Sequence, residues 1–341
     1  MKKILYISGL NKKNRKHDGE RIKNTYIFNS LEKKYKITLI NLSSFKILNT
    51  IKIFFHGLFL KNKYDYIIIS KDPHGANIIH IILKIVGCSF DKVVYFEIGP
   101  FLFDRIKNGT IKKEIFMYDR IIVVETDSMK RELESLGFTN IDVFPNFKPI
   151  IEINFVEKQY PKKVLDLVFL SRIEEAKGIY DLIEVLSEVN GNGLLFRLDI
   201  YGRIQSIKDE DKIKQYLDKN PFIRYCGKMD VDNQHSYEIL SQYDLHVFPT
   251  KYSEGFPGSI IDFFIAGVPT FSSSFARANE ILSTDDSIIF KQFDKDDMRE
   301  KLIYVYNNQF ILNSMRTNAF KRRNDYSVET FEVYLEKIIG N

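Results

Sequence analysis

The chain has 341 residues, more than one hydrophobic core usually organises, so we expect two domains. Hydrophobic residues make up 44% and charged residues 28%, as in globular proteins that fold in water, and no apolar run approaches the roughly 18 residues of a membrane span. The two cysteines, Cys88 and Cys226, lack metal-ligand spacing, which argues against a zinc site and favours a reducing cytoplasm. The apolar run in Met1–Ser8 is too short for a signal peptide and predicts a first strand.

The net charge of +5 is unevenly distributed along the chain. Residues 1–150 contain 26 Lys and Arg against 15 Asp and Glu, whereas residues 151–341 contain 24 against 30. This asymmetry indicates that the first half faces a polyanion. We expect an anionic membrane surface and no nucleic acid, because the basic clusters are not interleaved with aromatic residues and contain no recognisable nucleic-acid-binding motif.

The first half alternates predicted strands with helices, a pattern typical of a parallel sheet with helices on both faces. A polar loop, Gly9–Asn24, precedes a helix that ends near Lys34, and a later helix covers Ser128–Leu136. Residues 1–150 therefore predict a first domain, with strands at residues 3–8, 36–40, 66–70, 92–97, 120–125 and 141–147.

The segment Phe45–Leu60 has a helical period, with apolar residues at positions 48, 51, 55 and 58 and a stripe widened by Phe54 and Phe59. One interpretation is a helix packed on the core. The other is an interfacial helix whose apolar face enters lipid, with Lys46, Lys52 and Lys61 near the head groups.

Two polar residues follow strands of the first domain. His74 lies in the turn 71–75 after the third strand, and Glu97 ends the fourth strand before Gly99 and Pro100. Since ligand sites in doubly wound sheets form beyond the carboxyl ends of the strands, both are candidates for a ligand site.

The second half repeats the alternation after a predicted linker, residues 148–162, that contains two prolines and no clear period. Asp209 and Asp211 lie within a charged helix, so we interpret them as solvated surface and expect no metal site. A final amphipathic helix covers Tyr326–Ile339. The other predictions are strands at residues 164–170, 195–201, 223–229, 244–248 and 270–274, and helices at 179–189, 208–219, 236–243 and from 258 until Gly267.

Two stretches of the second half point to a bound phosphate. Ser171–Gly178 places Arg172 and Lys177 after a strand, where a guanidinium fork and a point charge suit phosphate oxygens. In the stretch 247–274, Glu254 precedes a helix that starts at Gly258, and a helix N-terminus preceded by glycine favours a diphosphate. Asp262 lies eight residues after Glu254, so the two acids suit opposite ends of an elongated ligand.

The spacing Glu254-x7-Asp262 resembles the E-x7-E signature of family 4 glycosyltransferases, and Arg172-x4-Lys177-Gly178 resembles a second element of that family. The resemblance implies a GT-B fold, α/β, with two Rossmann-like doubly wound domains facing a central cleft. Residues 1–150 would be the acceptor domain, to which the helix at residues 325–341 crosses back. Residues 160–324 would be the nucleotide-sugar donor domain.

The resemblance also implies roles for individual residues. Arg172, Lys177 and Glu254 would be catalytic, with Glu254 on the donor sugar and the two cations on its diphosphate. Asp262 would bind the ribose through a side chain one methylene shorter than the family's glutamate. The remaining donor-side residues would be Gly202, Gly227, Lys228, Gly255, Phe256, Gly258 and Ser259, and the acceptor side would include Gly9, Arg21, His74 and Glu97.

These features predict a metal-independent, retaining glycosyltransferase that uses a nucleotide-sugar, with UDP as the expected nucleotide and no cofactor. The predicted acceptor is a glycan or an undecaprenyl-diphosphate-linked glycan in bacterial surface polysaccharide synthesis, of capsule or O-antigen. The enzyme would be cytoplasmic and peripheral on the inner face of the membrane. Two alternatives stay open: a GT-B sugar-nucleotide epimerase, and a non-catalytic protein that binds a sugar nucleotide or glycan.

Overall fold

The computed structural model describes residues 1–10, 19–42, 46–59 and 61–340, without the side chains of residues 46, 47 and 61. The chain divides into two compact units. Unit 1 comprises Met1–Pro149 and Tyr326–Asn341, and unit 2 comprises Ile150–Asp325. The C-terminal helix therefore belongs to unit 1.

Unit 1 is built on a parallel sheet of six strands in the order β2-β1-β3-β4-β5-β6. Its strands are β1 (Lys3–Ser8), β2 (Lys36–Asn41), β3 (Tyr66–Lys71), β4 (Val93–Glu97), β5 (Ile121–Val124) and β6 (Ile141–Val143). Its helices are α1 (Gly19–Lys34), α2 (Lys46–Phe59), α3 (Pro73–Ile85), α4 (Leu102–Lys107), α5 (Asp127–Glu134) and the C-terminal α13 (Val328–Ile339).

The core of unit 1 lies on both faces of this sheet. Strand β3 is buried from Tyr66 to Ser70, which explains its continuous apolar sequence. On one face Ile53 of α2 packs with Ile79 and Leu83 of α3, and on the other Ile27 of α1 packs with residues of α13. Burial of these side chains is the main stabilisation of the layered arrangement.

Unit 2 repeats the design with the strand order β12-β11-β10-β7-β8-β9, again parallel throughout. Its strands are β7 (Leu165–Leu170), β8 (Phe196–Tyr201), β9 (Ile223–Gly227), β10 (Leu245–Phe248), β11 (Thr270–Ser273) and β12 (Ser287–Phe290). Its helices are α6 (Ile179–Val189), α7 (Ile207–Lys219), α8 (Gln234–Ser241), α9 (Gly258–Ala266), α10 (Ala278–Ile281), α11 (Lys295–Asn307) and α12 (Ile311–Arg322).

Each sheet has one point at which the strand order reverses. In unit 1 it lies between β1 and β3, and in unit 2 between β7 and β10. The loops after two such strands leave toward opposite faces of the sheet and open a crevice at its carboxyl edge. Ligands of doubly wound sheets generally bind at such crevices.

Several predicted boundaries are wrong at the residue level. Helix α1 begins at Gly19, within the predicted loop Gly9–Asn24, whose residues 11–18 lie outside the described part of the chain. His74 lies in the first turn of α3 rather than in a turn, because the Asp72 side chain caps the helix and accepts the Gly75 amide at 3.2 Å. Helix α9 is buried on every side from Ile260 to Ala266.

The helix predicted at Phe45–Leu60 forms as α2 and packs on the core through Ile53, but the predicted apolar stripe does not face the core. Only one large apolar side chain in its described part, Ile53, is buried, and the predicted stripe faces outward. Phe45, Leu60 and the side chains of Lys46 and Lys61 lie outside the described residues. No helix in the described ranges is long and apolar enough to cross a membrane.

Residues 150–162, part of the predicted linker 148–162, pack on unit 2 and belong to it. Lys158, Tyr160 and Lys162 all bond to the buried carboxylate of Asp244, with the Lys162 Nζ at 2.6 Å from its Oδ1. A buried carboxylate needs such partners because its desolvation is costly. In unit 1, Phe331 of α13 stacks on Phe147 with ring centres 3.9 Å apart.

Candidate active site

The reversal point of unit 2 brings two loops together. The loop Ser171–Gly178 follows β7 and the loop Pro249–Pro257 follows β10, its neighbour in the sheet. The Lys251 amide donates to the Ala176 carbonyl at 2.9 Å, which ties the loops backbone to backbone. Gly178 has a φ of 72°, and a Cβ there would lie 1.8 Å from the Pro249 carbonyl oxygen. Only glycine allows this approach.

The two loops join Lys177 to Glu254. The Lys177 Nζ lies 2.5 Å from the Glu254 Oε1, and the side chains are 9% and 12% exposed, so water screens the pair only weakly. The Thr250 hydroxyl donates to the same oxygen at 2.8 Å. The Lys177 Nζ also lies 5.3 Å from the centre of the Tyr252 ring, within range of a cation–π contact.

The loop that carries Glu254 is held in place by hydrogen bonds from residues that follow it in the chain. The Thr250 carbonyl accepts hydrogen bonds from the Ser273 hydroxyl at 2.6 Å and the Gln292 amide at 3.0 Å. The buried Arg277 donates through Nη1 to the Ser253 hydroxyl at 3.3 Å. These contacts position the carboxylate before any ligand arrives.

Arg172 lies at the start of the other loop. Its Nη2 is 3.1 Å from the Glu174 Oε1, and its side chain is 51% exposed, so its guanidinium is open to solvent. Gly202, after β8, packs directly beneath this loop: a Cβ there would lie 1.7 Å from the Ser171 carbonyl oxygen. Gly202 therefore acts through backbone packing under the loop.

The amide end of α9 follows the Glu254 loop. Gly255 and Phe256 are buried, Gly258 begins the helix, and Ser259 is half-buried in its first turn. Asp262 is buried one turn further on, where its Oδ1 accepts the Tyr237 hydroxyl at 2.9 Å. The helix N-terminus thus lies beside Glu254, with the positive end of its dipole toward the crevice.

Gly227 and Lys228 lie at the carboxyl end of β9, two strands from β7 in the sheet. The Lys228 Nζ pairs with the Asp230 Oδ1 at 2.6 Å on the surface. They share the sheet edge with Lys177 and Glu254 but do not contact that pair.

The reversal point of unit 1 also contains charged pairs. The Nζ of Lys71, the last residue of β3, lies 2.5 Å from the Glu20 Oε1 of α1, and Lys23 pairs with Glu125, after β5, at the same distance. The Lys23–Glu125 pair is almost fully buried, with each side chain 7% exposed. These four residues form a polar floor at the carboxyl edge of the sheet.

The predicted acceptor-side residues lie around this floor. Gly9 follows β1 and its carbonyl accepts the Asn24 amide at 3.3 Å, while Arg21 lies in the first turn of α1. Glu97 is buried at the end of β4 and accepts the Leu102 amide at 2.8 Å, so it caps the start of α4. His74 is exposed on α3.

Sequence reasoning missed Thr250 and the pairs Lys71–Glu20 and Lys23–Glu125. They lie at or after strand ends or near the start of α1, which does not distinguish them from other polar residues in the sequence. Within the described ranges, no group of three His, Cys, Asp or Glu side chains is placed to hold a metal ion.

Comparison with known proteins identifies the chemistry of unit 2. Residues 165–308 match the family model described as glycosyl transferases group 1. This part of the chain is a glycosyltransferase domain. The chain is therefore an enzyme of the glycosyltransferase class. No curated protein matches its sequence.

Solved structures share the fold at low sequence identity. HepE from Anabaena, in complex with UDP and glucose, has a TM-score of 0.73 and 12% identity over 100% of both chains. Sucrose-phosphate synthase from Thermosynechococcus elongatus gives 0.75 and 11% over 99% of this chain and 98% of that one. The lipopolysaccharide outer core galactosyltransferase WaaB, in its apo form, gives 0.65 and 15% over 94% and 99%. With its two Rossmann-like units, the glycosyltransferase has the GT-B fold.

Proposed function

We propose that this glycosyltransferase transfers a sugar from a UDP-sugar, with retention of anomeric configuration and without a metal. The observation that carries the proposal is the contact of Lys177 with Glu254 beside the N-terminus of α9, at the strand-order reversal of unit 2. A cation, a carboxylate and a helix dipole at one crevice match the diphosphate and the hydroxyls of such a donor. The complexes of HepE with UDP and glucose, and with UDP-glucose, support this class of ligand.

Negative charge grows on the diphosphate as the sugar leaves it. Arg172, exposed beside the crevice, would form a fork on phosphate oxygens, Lys177 would add a point charge, and the amide end of α9 would add its dipole. Glu254, already held by Thr250, would orient the sugar hydroxyls. Asp262, whose Oδ1 accepts the Tyr237 hydroxyl, would bind the ribose through its carboxylate.

The acceptor is proposed to be a glycan or an undecaprenyl-diphosphate-linked glycan in bacterial surface polysaccharide synthesis, bound at the carboxyl edge of unit 1. The polar floor with its lysines, together with Gly9, Arg21, His74 and Glu97, is the site for it. The basic charge of residues 1–150 favours an anionic partner and a peripheral position on the inner face of the cytoplasmic membrane.

A thermal-shift screen of UDP-, GDP-, ADP- and dTDP-sugars without metal tests the donor. We expect UDP-sugars alone to raise the melting temperature, Arg172→Ala to weaken that shift, and Glu254→Ala to make UDP and UDP-sugar equivalent. A folded protein that responds to none of the four would overturn the donor assignment. If another nucleotide raises the melting temperature instead, the donor carries that nucleotide and not UDP.

A further inference from the structure

Helices α2 and α3 share one outward face that is mostly apolar. The buried sides of both helices, Ile53 of α2 and Ala76, Ile79 and Leu83 of α3, belong to one core cluster. The helices pack against each other near Gly57, where a Cβ would lie 2.5 Å from the Val86 Cγ2. Their opposite sides therefore form a single outer surface.

This surface, called here the α2–α3 face, holds nine large apolar side chains that are each at least 40% exposed. Two helices of 14 and 13 residues thus carry nine of the 20 exposed large apolar side chains of the described residues. Soluble proteins rarely expose so much apolar surface in one place without a partner. The nine are Leu48, Ile51, Phe54, Phe55, Leu58, Phe59, Ile78, Ile81 and Ile85.

The positive charge of the α2–α3 face favours an anionic bilayer over a second copy of the chain as its partner. Lys52 and Lys84 are exposed beside the apolar side chains, and neither helix contains Asp or Glu. A second copy of the chain, docked by a two-fold axis, would bring the same lysines together without a carboxylate to pair them. An anionic bilayer satisfies both components, since lipid tails accept the Phe and Ile side chains and head groups neutralise the lysines.

We propose that the α2–α3 face is the surface by which the enzyme docks on an anionic lipid bilayer, inserting Phe59 and Ile85 below the head groups. Phe59 is 67% exposed and Ile85 71%, the two highest values on the face. This proposal rests on the lipid-linked acceptor proposed above and deepens it. It also adds α3 to the single amphipathic helix that the sequence indicated.

The chain contains no tryptophan, so one introduced indole reports its own surroundings. The full-length variants Phe59→Trp and Ile85→Trp are mixed, at low salt, with vesicles of phosphatidylcholine and phosphatidylglycerol. We expect emission to shift to shorter wavelength and to be quenched by brominated lipid. Phe310→Trp, on the 76% exposed Phe310 of unit 2, is the matched control and should not respond.

Two further variants separate the two forces. In the Phe59→Trp background, Lys52→Gln with Lys84→Gln is expected to weaken vesicle affinity about thirtyfold. Ile51→Ser with Phe55→Ser keeps the lysines and should also lose binding. Equal binding to pure phosphatidylcholine would overturn the choice of an anionic bilayer, and a shift that depends only on protein concentration would assign the face to a second copy.

The same samples are titrated with UDP. Retained UDP binding with no vesicle response would overturn the docking face and leave the donor proposal intact. Vesicle binding without any UDP binding would uphold the face and reject the proposed donor instead.

Discussion

Replacing Glu254 by glutamine is expected to tighten the binding of UDP. Lys177 already has a carboxylate partner, because its Nζ lies 2.5 Å from the Glu254 Oε1. UDP must draw Lys177 away from this carboxylate before the lysine can neutralise a phosphate. Glutamine removes the competing charge but keeps an oxygen for the hydroxyl of Thr250.

The magnitude follows from the strength of the contact that UDP displaces. A hydrogen bond to a charged group contributes ~1.5–3 kcal/mol. If UDP recovers the lower end of that range when the carboxylate is absent, its dissociation constant falls about tenfold, since ~1.4 kcal/mol corresponds to one decade. The nucleotide sugar should gain less, because Glu254→Gln also weakens the contact proposed for the sugar hydroxyls.

Isothermal titration of UDP and a UDP-sugar into wild type and Glu254→Gln measures both effects. Glu210→Gln is the matched control, because Glu210 also pairs with a lysine, Lys214 at 2.9 Å, but on the exposed surface of α7. The control should leave both affinities unchanged. Unchanged or weaker UDP binding by Glu254→Gln would refute the idea that the pair competes with the diphosphate.

Three further predictions concern stability. Gly178→Ala forces a Cβ onto a backbone carbonyl and is expected to lower the free energy of unfolding by about 3 kcal/mol, measured as a lower melting temperature. Gly109→Ala, at a φ of 76° with nothing within 4 Å, should lower it less. Equal losses would contradict the packing argument. Burial holds the pKa of His246 well below its usual 6.5, so below that pH the folded ring stays neutral while the unfolded chain gains a proton. The free energy of unfolding of wild type should therefore fall by up to ~1.4 kcal/mol for each pH unit below 6.5. Urea unfolding of His246→Phe should show a weaker pH dependence, and the same slope as wild type would refute this. Burial raises the pKa of Asp119, whose carboxylate lies 3.0 Å from His80, so this residue stabilises the folded state in acid and that contribution is lost as pH rises through the raised pKa. Asp119→Asn should remove this pH-dependent loss from the free energy of unfolding. An unchanged pH dependence would reject the argument.

The alternation of strands and helices was predictable because it depends on local patterns. Buried parallel strands read as apolar runs, such as Tyr66–Ser70, and glycine with proline at residues 267–269 ends a helix. Helix α3 was missed because its first turn, Pro73-His74-Gly75, resembles a turn in sequence. Helix α9 was predicted from residue 258 until Gly267, and it is apolar on all sides because protein surrounds it.

The site was predictable as a set of residues but not as a set of contacts. Strand ends and glycines located Arg172, Lys177 and Glu254. The contact of Lys177 with Glu254 joins residues 77 positions apart and depends on β7 lying beside β10, which periodicity does not specify. Thr250 carried no signal, because a threonine after a strand is common and its role follows from one hydrogen bond.

Both units place a lysine–glutamate pair at the point where the strand order reverses, Lys71 with Glu20 and Lys177 with Glu254. A lysine that is partly or fully buried loses hydration, so its charge needs a partner. A carboxylate across the crevice satisfies it without filling the crevice. A polar ligand can then take over either member, and the cost of separating the pair is offset by the new contacts. Each pair thus neutralises its own charges, and the same pairing favours a ligand that engages both members.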